Sequence, residues 1–477
     1  MAAQHAIILP YASRLIEAAQ SRRRKVSCNH SFGASCKFSV REAKGAIAVG
    51  QMATAWHLPD SRSLRICFVT ETYPPEINGV ALTLARLIGG LTARGHAISL
   101  VRPYQRGSDV SRVDHNVTLV RGLPLPGYPG LQFGLPAGRL FHRLWSRSRP
   151  DAVYVATEGP LGWSAVRTAR KLGIAAVSGF HTNYHSYSHH YRLGCLQSMV
   201  IRYLRSLHNQ TCGTLVPSLD MQTKLHCLGF RNVSLLGRGV DSDQFGPHHR
   251  CEKLRLSWGM GRHGCAALYV GRIAPEKNLS LALDAYRAMR RLDDSCRFIL
   301  VGDGPMRASL QRSHPDLIFC GMKMERELSR HFASADLFLF PSKTETFGNV
   351  TLEAMASGLG ALAYDYAAAR MHITDGVTGL LAPYGDADTF VAAACRLASD
   401  RSLVSKLGMR AREYALSVSW SRVLDSFVAH LESVRRQTAE SGATVPAAPV
   451  ADDYQEVVAS GIERHVPSFD SAPEPGV

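Results

Sequence analysis

The chain has 477 residues, 45% apolar and 20% charged, which suits two or three globular units of about 150 residues and excludes a chain too polar to build cores. Lys and Arg number 55 against 39 Asp and Glu, a formal charge of +16, which fits phosphate-bearing substrates, anionic lipid or simply a basic soluble surface. No run of about 18 apolar residues exists to span a bilayer, and the lack of an arginine-rich recognition helix or aromatic RNA-binding signature argues against a nucleic-acid partner.

In chain order, residues 1–62 stand apart. Their only acids are Glu17, Glu42 and Asp60, while Arg22, Arg23, Arg24 and Lys25 form a block. They read as a poorly ordered basic extension whose composition is like that of a transit peptide. Regular patterning starts with the apolar run 64–69, fit for a buried parallel strand. A polar, proline-containing loop over 70–79 follows, then helical spacing over 80–94 (Leu84, Leu87, Ile88, Leu91) with Gly95 as its stop. Further strands are expected at 97–101, 117–120, 152–155, 175–178 and 213–216. After Gly237-Arg238-Gly239-Val240-Asp241, read as a hinge, the rhythm repeats with strands at 266–270, 297–301, 317–320, 337–340, 360–364 and 380–382. Alternating strands and helices imply parallel sheets covered on both faces. The expected fold is therefore α/β, two doubly wound Rossmann-like domains facing across a cleft, with ligands at the carboxyl ends of the strands. The expected division is 63–245 for the first domain, 246–418 for the second, 419–436 for a terminal helix and 437–477 for a disordered tail rich in Ala, Pro, Ser and Glu. The 11 cysteines are scattered without a Cys-x-x-Cys pair and read as reduced thiols of a cytoplasmic protein.

The residues that carry chemistry sit where strands end. Glu76-Ile77-Asn78-Gly79-Val80 joins the first strand to its helix, and Gly79 lets backbone amides face a phosphate. This is not Gly-x-Gly-x-x-Gly, so a dinucleotide cofactor is disfavoured. His181 follows the 175–178 strand and points into the cleft. His181, His185 and His189 are spaced by four, a metal-like spacing on a helix. The acidic partner of such a motif is missing, so a polar cleft lining is the reading and no metal or other cofactor is expected. In Gly271-Arg272-Ile273-Ala274-Pro275-Glu276-Lys277-Asn278 a strand end presents Arg272 as a planar fork and Lys277 as a point charge, a pair suited to phosphates. Gly302-Asp303-Gly304-Pro305 brings backbone close to a nucleotide. The strongest signal is 341–358. There a loop holding Glu345, Phe347 and Gly348 feeds a helix opened by Asn349 and Val350, with Glu353 one turn inside. Exposed amides at such a helix start attract a diphosphate.

Together these residues resemble the retaining family-4 (group 1) glycosyltransferases of the GT-B fold, over 64–436. Within that family, Thr70-Glu71-Thr72-Tyr73-Pro74-Pro75 and Ala156-Thr157-Glu158-Gly159-Pro160-Leu161-Gly162 are similar to bacterial mannosyl- and glucosyltransferases of the glycolipid type. The resemblance implies that Arg272 and Lys277 neutralise the donor diphosphate and that Glu353 holds the ribose. Glu345 with Phe347, Gly348 and Asn349 would hold the donor sugar, with His181 beside it. It also implies a metal-free transfer of a hexosyl group, GDP-mannose being favoured over UDP-glucose, to a lipid or glycan hydroxyl. The terminal helix is expected to cross back onto the first domain. Where the family often has Gly-x-Pro, this chain has Gly358-Leu359-Gly360. A nucleotide-sugar epimerase and a non-catalytic nucleotide-sugar or glycan-binding protein are the competing readings.

Two segments bear on the acceptor. Residues 137–149 fit a basic helix with Arg139, Arg143 and Arg147 on one stripe, either a surface for anionic membrane lipid or an ordinary helix covering the sheet. The Gly/Pro loop 123–130 is placed to shape an acceptor pocket.

Overall fold

The computed structural model describes residues 63–440 apart from 77, 106–115, 125–131, 182–193, 262–263 and 346. The 1–62 extension, the chain beyond 440, His185, His189 and most of the 123–130 loop lie outside the described residues.

The first half runs β1 (Arg65–Val69), α1 (Gly79–Ala93), β2 (Ala97–Pro103), β3 (Val117–Val120), β4 (Gly122–Pro124), β5 (Gln132–Gly134), α2 (Gly138–Arg147), β6 (Ala152–Val155), α3 (Pro160–Lys171), β7 (Ala175–Gly179), α4 (Gly194–His208), β8 (Gly213–Val216), α5 (Leu219–Cys227) and β9 (Val233–Leu235). The second runs α6 (Glu252–Ser257), β10 (Ala266–Val270), α7 (Leu279–Leu292), β11 (Arg297–Val301), α8 (Arg307–Ser313), β12 (Ile318–Gly321), α9 (Glu325–Ser334), β13 (Leu337–Phe340), α10 (Asn349–Ala356), β14 (Gly360–Tyr364), α11 (Ala367–His372), β15 (Leu380–Ala382), α12 (Ala387–Ser399), α13 (Arg401–Ser417) and α14 (Trp420–Glu440).

The apolar runs fold as expected. Parallel strands with helices on both faces need side chains buried on both sides, and β6, β10 and β13 are buried along their whole length. The first sheet has the order β3-β2-β1-β6-β7-β8-β9 and the second β12-β11-β10-β13-β14-β15, every pairing in them parallel. Chain order reverses at β1 in one sheet and at β10 in the other. Ligands collect at such switch points, outside the carboxyl ends of the strands.

Three elements differ from the sequence expectation. β9 is a three-residue edge strand, too short to register as an apolar run. β4 and β5 form a small antiparallel pair whose connection is the Gly/Pro loop. The last helix continues past Arg436 to Glu440, so residues 437–440 are helical.

α14 is built on Val423, Leu424, Phe427, Val428, Leu431 and Val434, which pack among Leu64, Phe68, Leu84 and Tyr154 of the first half. Phe427 stacks on Phe68 at 6.0 Å and meets Tyr154 edge-on at 5.1 Å between ring centres. A fully buried Phe of this kind contributes about 1.5–3 kcal/mol. The connection between the halves passes against the start of this helix. A Cβ at Gly239 would lie 2.5 Å from the Trp420 amide nitrogen, so only glycine fits there. A second bridge joins α5 to α11: the Asp220 carboxylate accepts from the Ala367 amide at 2.9 Å and pairs with Arg370.

Candidate active site

The second sheet presents three loops side by side. After β10 the chain makes a tight turn over Pro275–Lys277, and Asn278 follows in the left-handed region at φ 54°. The Asn278 amide reaches the Pro341 carbonyl at 3.2 Å, tying this loop to the one after β13. Lys277 is thereby aimed at the β13 loop. Its ammonium pairs with Glu345 Oε1 and approaches the Thr344 carbonyl at 3.4 Å. Ser342 donates to the same Oε1 at 2.7 Å, and the Tyr366 hydroxyl donates to the Glu345 carbonyl at 3.1 Å. Glu345 is therefore not free as the loop position suggested. Both side-chain bonds, however, fall on Oε1, which leaves Oε2 for a ligand. The pair is well sheltered, with Lys277 17% and Glu345 15% exposed, so it is a stronger interaction than a surface ion pair.

Arg272 is different. It is 60% exposed and 3.4 Å from Glu276, an arrangement worth little, so its guanidinium can turn to a phosphate at small cost. Gly271 and Gly302 have φ of 152° and 138°. A Cβ at Gly302 would sit 1.9 Å from the Gly271 carbonyl oxygen, and one at Gly304 2.3 Å from that of Ile273. These glycines thus allow the two loops to pack closely. Asp303 also serves its own loop: it accepts from the Gly304 amide and from Arg307, both at 2.8 Å. Those contacts, the amide first, hold its carboxyl below the usual range.

Gly348, at φ 99°, is the N-cap of α10, and no side chain caps that helix. Its first amides are the orphan donors that anions seek. Phe347 is buried and edge-on to His372 at 5.7 Å, while Asn349 and Val350 form the first turn. Glu353 lies on the same helix, its carboxyl without a hydrogen-bond partner among the described residues. Burial lifts its carboxyl to about 7, against a smaller opposite pull from Arg86 of α1. Arg86 in turn donates to Gln244 at 3.0 Å and lies 5.5 Å over the Trp420 ring.

Across the cleft, Asn78 caps α1. Its Oδ1 accepts from the Val80 and Ala81 amides at 3.1 and 2.9 Å, and its Nδ2 donates to Thr72 at 2.7 Å. Asn78 thus caps the helix, while nothing stands within 4 Å of a Cβ built at Gly79, so the space beside that turn is open. His181, at the end of β7, is 5% exposed, and both ring nitrogens are engaged: Nε2 with the Tyr154 hydroxyl and Nδ1 with Arg238, each at 3.1 Å. Burial, then the Arg238 and His208 charges, hold the ring well below its ordinary value, so it is neutral. Among the described residues no group of three His, Cys, Asp or Glu could hold a metal.

The structure therefore joins Lys277 to Glu345 in one contact, leaves Arg272 held only by an exposed pair with Glu276 and the Glu353 carboxyl without a hydrogen bond among the described residues, and engages Asn78 and Asp303 within their own loops. Sequence reasoning missed Ser342, Tyr366, Tyr154 and Arg238 as partners. The one available signal was an arginine between two glycines at a strand exit.

Two family models match the chain, one described as "Glycosyltransferase Family 4" over residues 77–244 and one as "Glycosyl transferases group 1" over 265–400. A GDP-mannose-dependent alpha-mannosyltransferase of Mycobacterium tuberculosis is 31% identical over 384 residues, covering 79% of this chain and 99% of that protein. An alpha-monoglucosyldiacylglycerol synthase of Streptococcus pneumoniae is 26% identical over 68% of this chain and 76% of that protein. In fold, the chain resembles sucrose-phosphate synthase from Thermosynechococcus elongatus with a TM-score of 0.61 at 16% identity, over 80% of this chain and all of that one.

Proposed function

The chain belongs to the group 1, family-4 glycosyltransferases, and on that premise we propose that it carries mannose from GDP-mannose to a hydroxyl of a lipid or glycan acceptor, with retention of anomeric configuration. The observation that carries this reading is the Lys277–Glu345 contact beside the uncapped start of α10. It offers a cation for the leaving diphosphate and a carboxylate oxygen for the sugar at one point.

In this reading Arg272, Lys277 and the amides of Gly348, Asn349 and Val350 receive the diphosphate, and the open turn at Gly79 faces it from the other side. Glu353 accepts from the ribose hydroxyls, Glu345 Oε2 from a sugar hydroxyl, and His181 forms a wall of the sugar subsite. The bond from the anomeric carbon to the diphosphate breaks, and the diphosphate takes the electron pair. The acceptor oxygen attacks from the same face and its proton passes to the departing phosphate oxygen. Preorganised cations and helix amides stabilise that charge, and no metal is assigned a part. Closure of the halves excludes water and limits donor hydrolysis.

The GDP-mannose dependence of the mycobacterial relative supports mannose as the sugar, and the pneumococcal glucosyldiacylglycerol synthase supports glucose as the alternative sugar and a lipid as the acceptor. Thermal shift and donor hydrolysis across a panel of nucleotide sugars test this. GDP-mannose is expected to give the largest response; a response to UDP-glucose alone overturns the donor assignment. Product analysis separates transfer from epimerisation, which needs no acceptor, and from binding without turnover.

The acceptor side carries a membrane contact in this reading. Phe141 and Trp145 of α2 are buried at 0% and 3% exposure, so the apolar stripe of the helix serves the core. Arg139, Arg143 and Arg147 remain exposed, with no acidic partner among the described residues. Such a face docks on anionic headgroups by charge, without insertion. Flotation with anionic liposomes at low salt is expected, and its loss in the Arg139→Glu, Arg143→Glu, Arg147→Glu triple variant; no flotation at low salt overturns the contact.

A further inference from the structure

Arg238 is 6% exposed, yet no acidic side chain pairs with it among the described residues. A buried guanidinium normally has a carboxylate or phosphate beside it. Arg238 instead reaches from the exit of β9, past β8, to the ring of His181 at the end of β7. Arginine has donors only, so Nδ1 of His181 must be the accepting lone pair. The neutral ring then carries its proton on Nε2, and that N–H points at the Tyr154 hydroxyl. The sequence makes room for this geometry: a Cβ at Gly179 would lie 2.1 Å from the Tyr154 oxygen and 2.5 Å from His181 Nε2.

We propose that Arg238 is a positioning residue for the transfer, one that locks His181 as the neutral Nε2–H tautomer and holds its ring still. The proposal rests on the reading of His181 as a wall of the sugar subsite. Positive charge develops on the sugar as the donor bond breaks, and a protonated imidazole beside it would oppose that charge. Protonation of Nδ1 would set an N–H against the N–H of Arg238, so the bond blocks it. Tyr154 from β6, His208 from α4 and Arg238 are the titratable groups facing the ring among the described residues, with Glu158 3.6 Å behind His208.

The test uses the full chain. Arg238→Met removes the donor and the charge, while Arg238→Gln keeps an N–H that can reach Nδ1. Ring nitrogen shifts of His181, assigned by difference from a His181→Asn sample, report the tautomer and its titration. In the wild type the Nε2–H form is expected, with no titration at the ordinary histidine value of about 6.5. In Arg238→Met the fixed tautomer is expected to be lost and the titration of the ring to move up from the wild-type position toward that value, with the remaining burial still holding it lower. The variant's kcat should acquire an acid limb at higher pH than the wild type's, falling about tenfold per pH unit along it, with the donor KM little changed. Arg238→Gln should recover the flat profile. If Arg238→Met fails to fold, the wild-type tautomer and the Arg238→Gln profile still decide. A wild-type ring with its proton on Nδ1, titration near 6.5 in the wild type, or an unchanged pH profile in a folded Arg238→Met protein overturns the proposal. Absence of transfer by the wild type would instead overturn the reading of the site, on which the ring titration does not depend.

Discussion

Glu353→Gln isolates the cost of keeping a carboxyl ready for a ligand. Burial lifts this group from 4.5 to about 7, which corresponds to a ceiling of about 3 kcal/mol at ~1.4 kcal/mol per pH unit. The side chain keeps partial access to solvent, so about 1–2 kcal/mol is the expected size. Below pH 4.5 the group is protonated folded and unfolded alike, and glutamine is no better than glutamate. Between 4.5 and about 7 the unfolded chain releases its proton while the folded one keeps it, so wild-type stability falls as pH rises. Above 7 the folded carboxyl must ionise in a desolvated seat, and the full penalty stands. Urea unfolding of both proteins at pH 4, 6 and 8 should therefore give a difference that is absent at the first, partial at the second and complete at the third, with Glu353→Gln the more stable. The gain should be paired with a loss: the amide cannot replace the carboxylate as a double acceptor for ribose hydroxyls, and donor affinity should fall. Donor binding to the wild type near pH 6 should release close to one proton, measurable by calorimetry in buffers of different ionisation enthalpy. A variant less stable than the wild type at pH 8, or a difference that grows toward low pH, would refute the reasoning.

Other perturbations follow from the same geometry. Lys277→Ala and Glu345→Ala should each lower kcat by about 10²–10³, the usual effect of removing one preorganised electrostatic group, while circular dichroism stays native; near-normal turnover in both would sink the site. Gly302→Ala should cost about 3 kcal/mol or more, because its Cβ would sit 1.9 Å from the Gly271 oxygen at φ 138°; an unchanged urea midpoint contradicts that packing. Phe427→Ala should destabilise by about 3–5 kcal/mol and shift the melting of the first half, since its ring lies against Phe68 and Tyr154; a normal melt would mean the crossing helix is not part of that core.

Much of the fold was legible because parallel strands buried on both faces announce themselves as short apolar runs, as in Ala266–Val270 and Leu337–Phe340. β9 was not, because Val233–Leu235 is a half-exposed edge with nothing to distinguish it from a turn. The loops at strand ends were legible as places, and less so as contacts. Nothing local says that Lys277 and Glu345, 68 residues apart, share a hydrogen bond. The sequence favoured a free Glu345, because a residue's commitments to its own scaffold appear only when neighbouring loops are in place. Arg238 was hidden for the same reason: its meaning lies in a reach across the sheet.

The helix that returns from the far end of the chain sets a timetable for synthesis. The apolar floor beneath β1 and β6 is closed by Phe427, Val428 and Leu431, side chains that leave the ribosome long after β9. At about 5–20 residues per second the roughly 200 intervening residues take on the order of ten to forty seconds. For that interval the nascent first half is a half-finished core, exposed to holdase chaperones and to aggregation. The second half, whose core draws on Val240 and on residues up to Ala415, needs nothing from α14 and can be complete first. A premature stop before Trp420 would therefore leave the second half competent and strand the earlier-made one, so truncation damage would fall on the part of the protein farthest from the break.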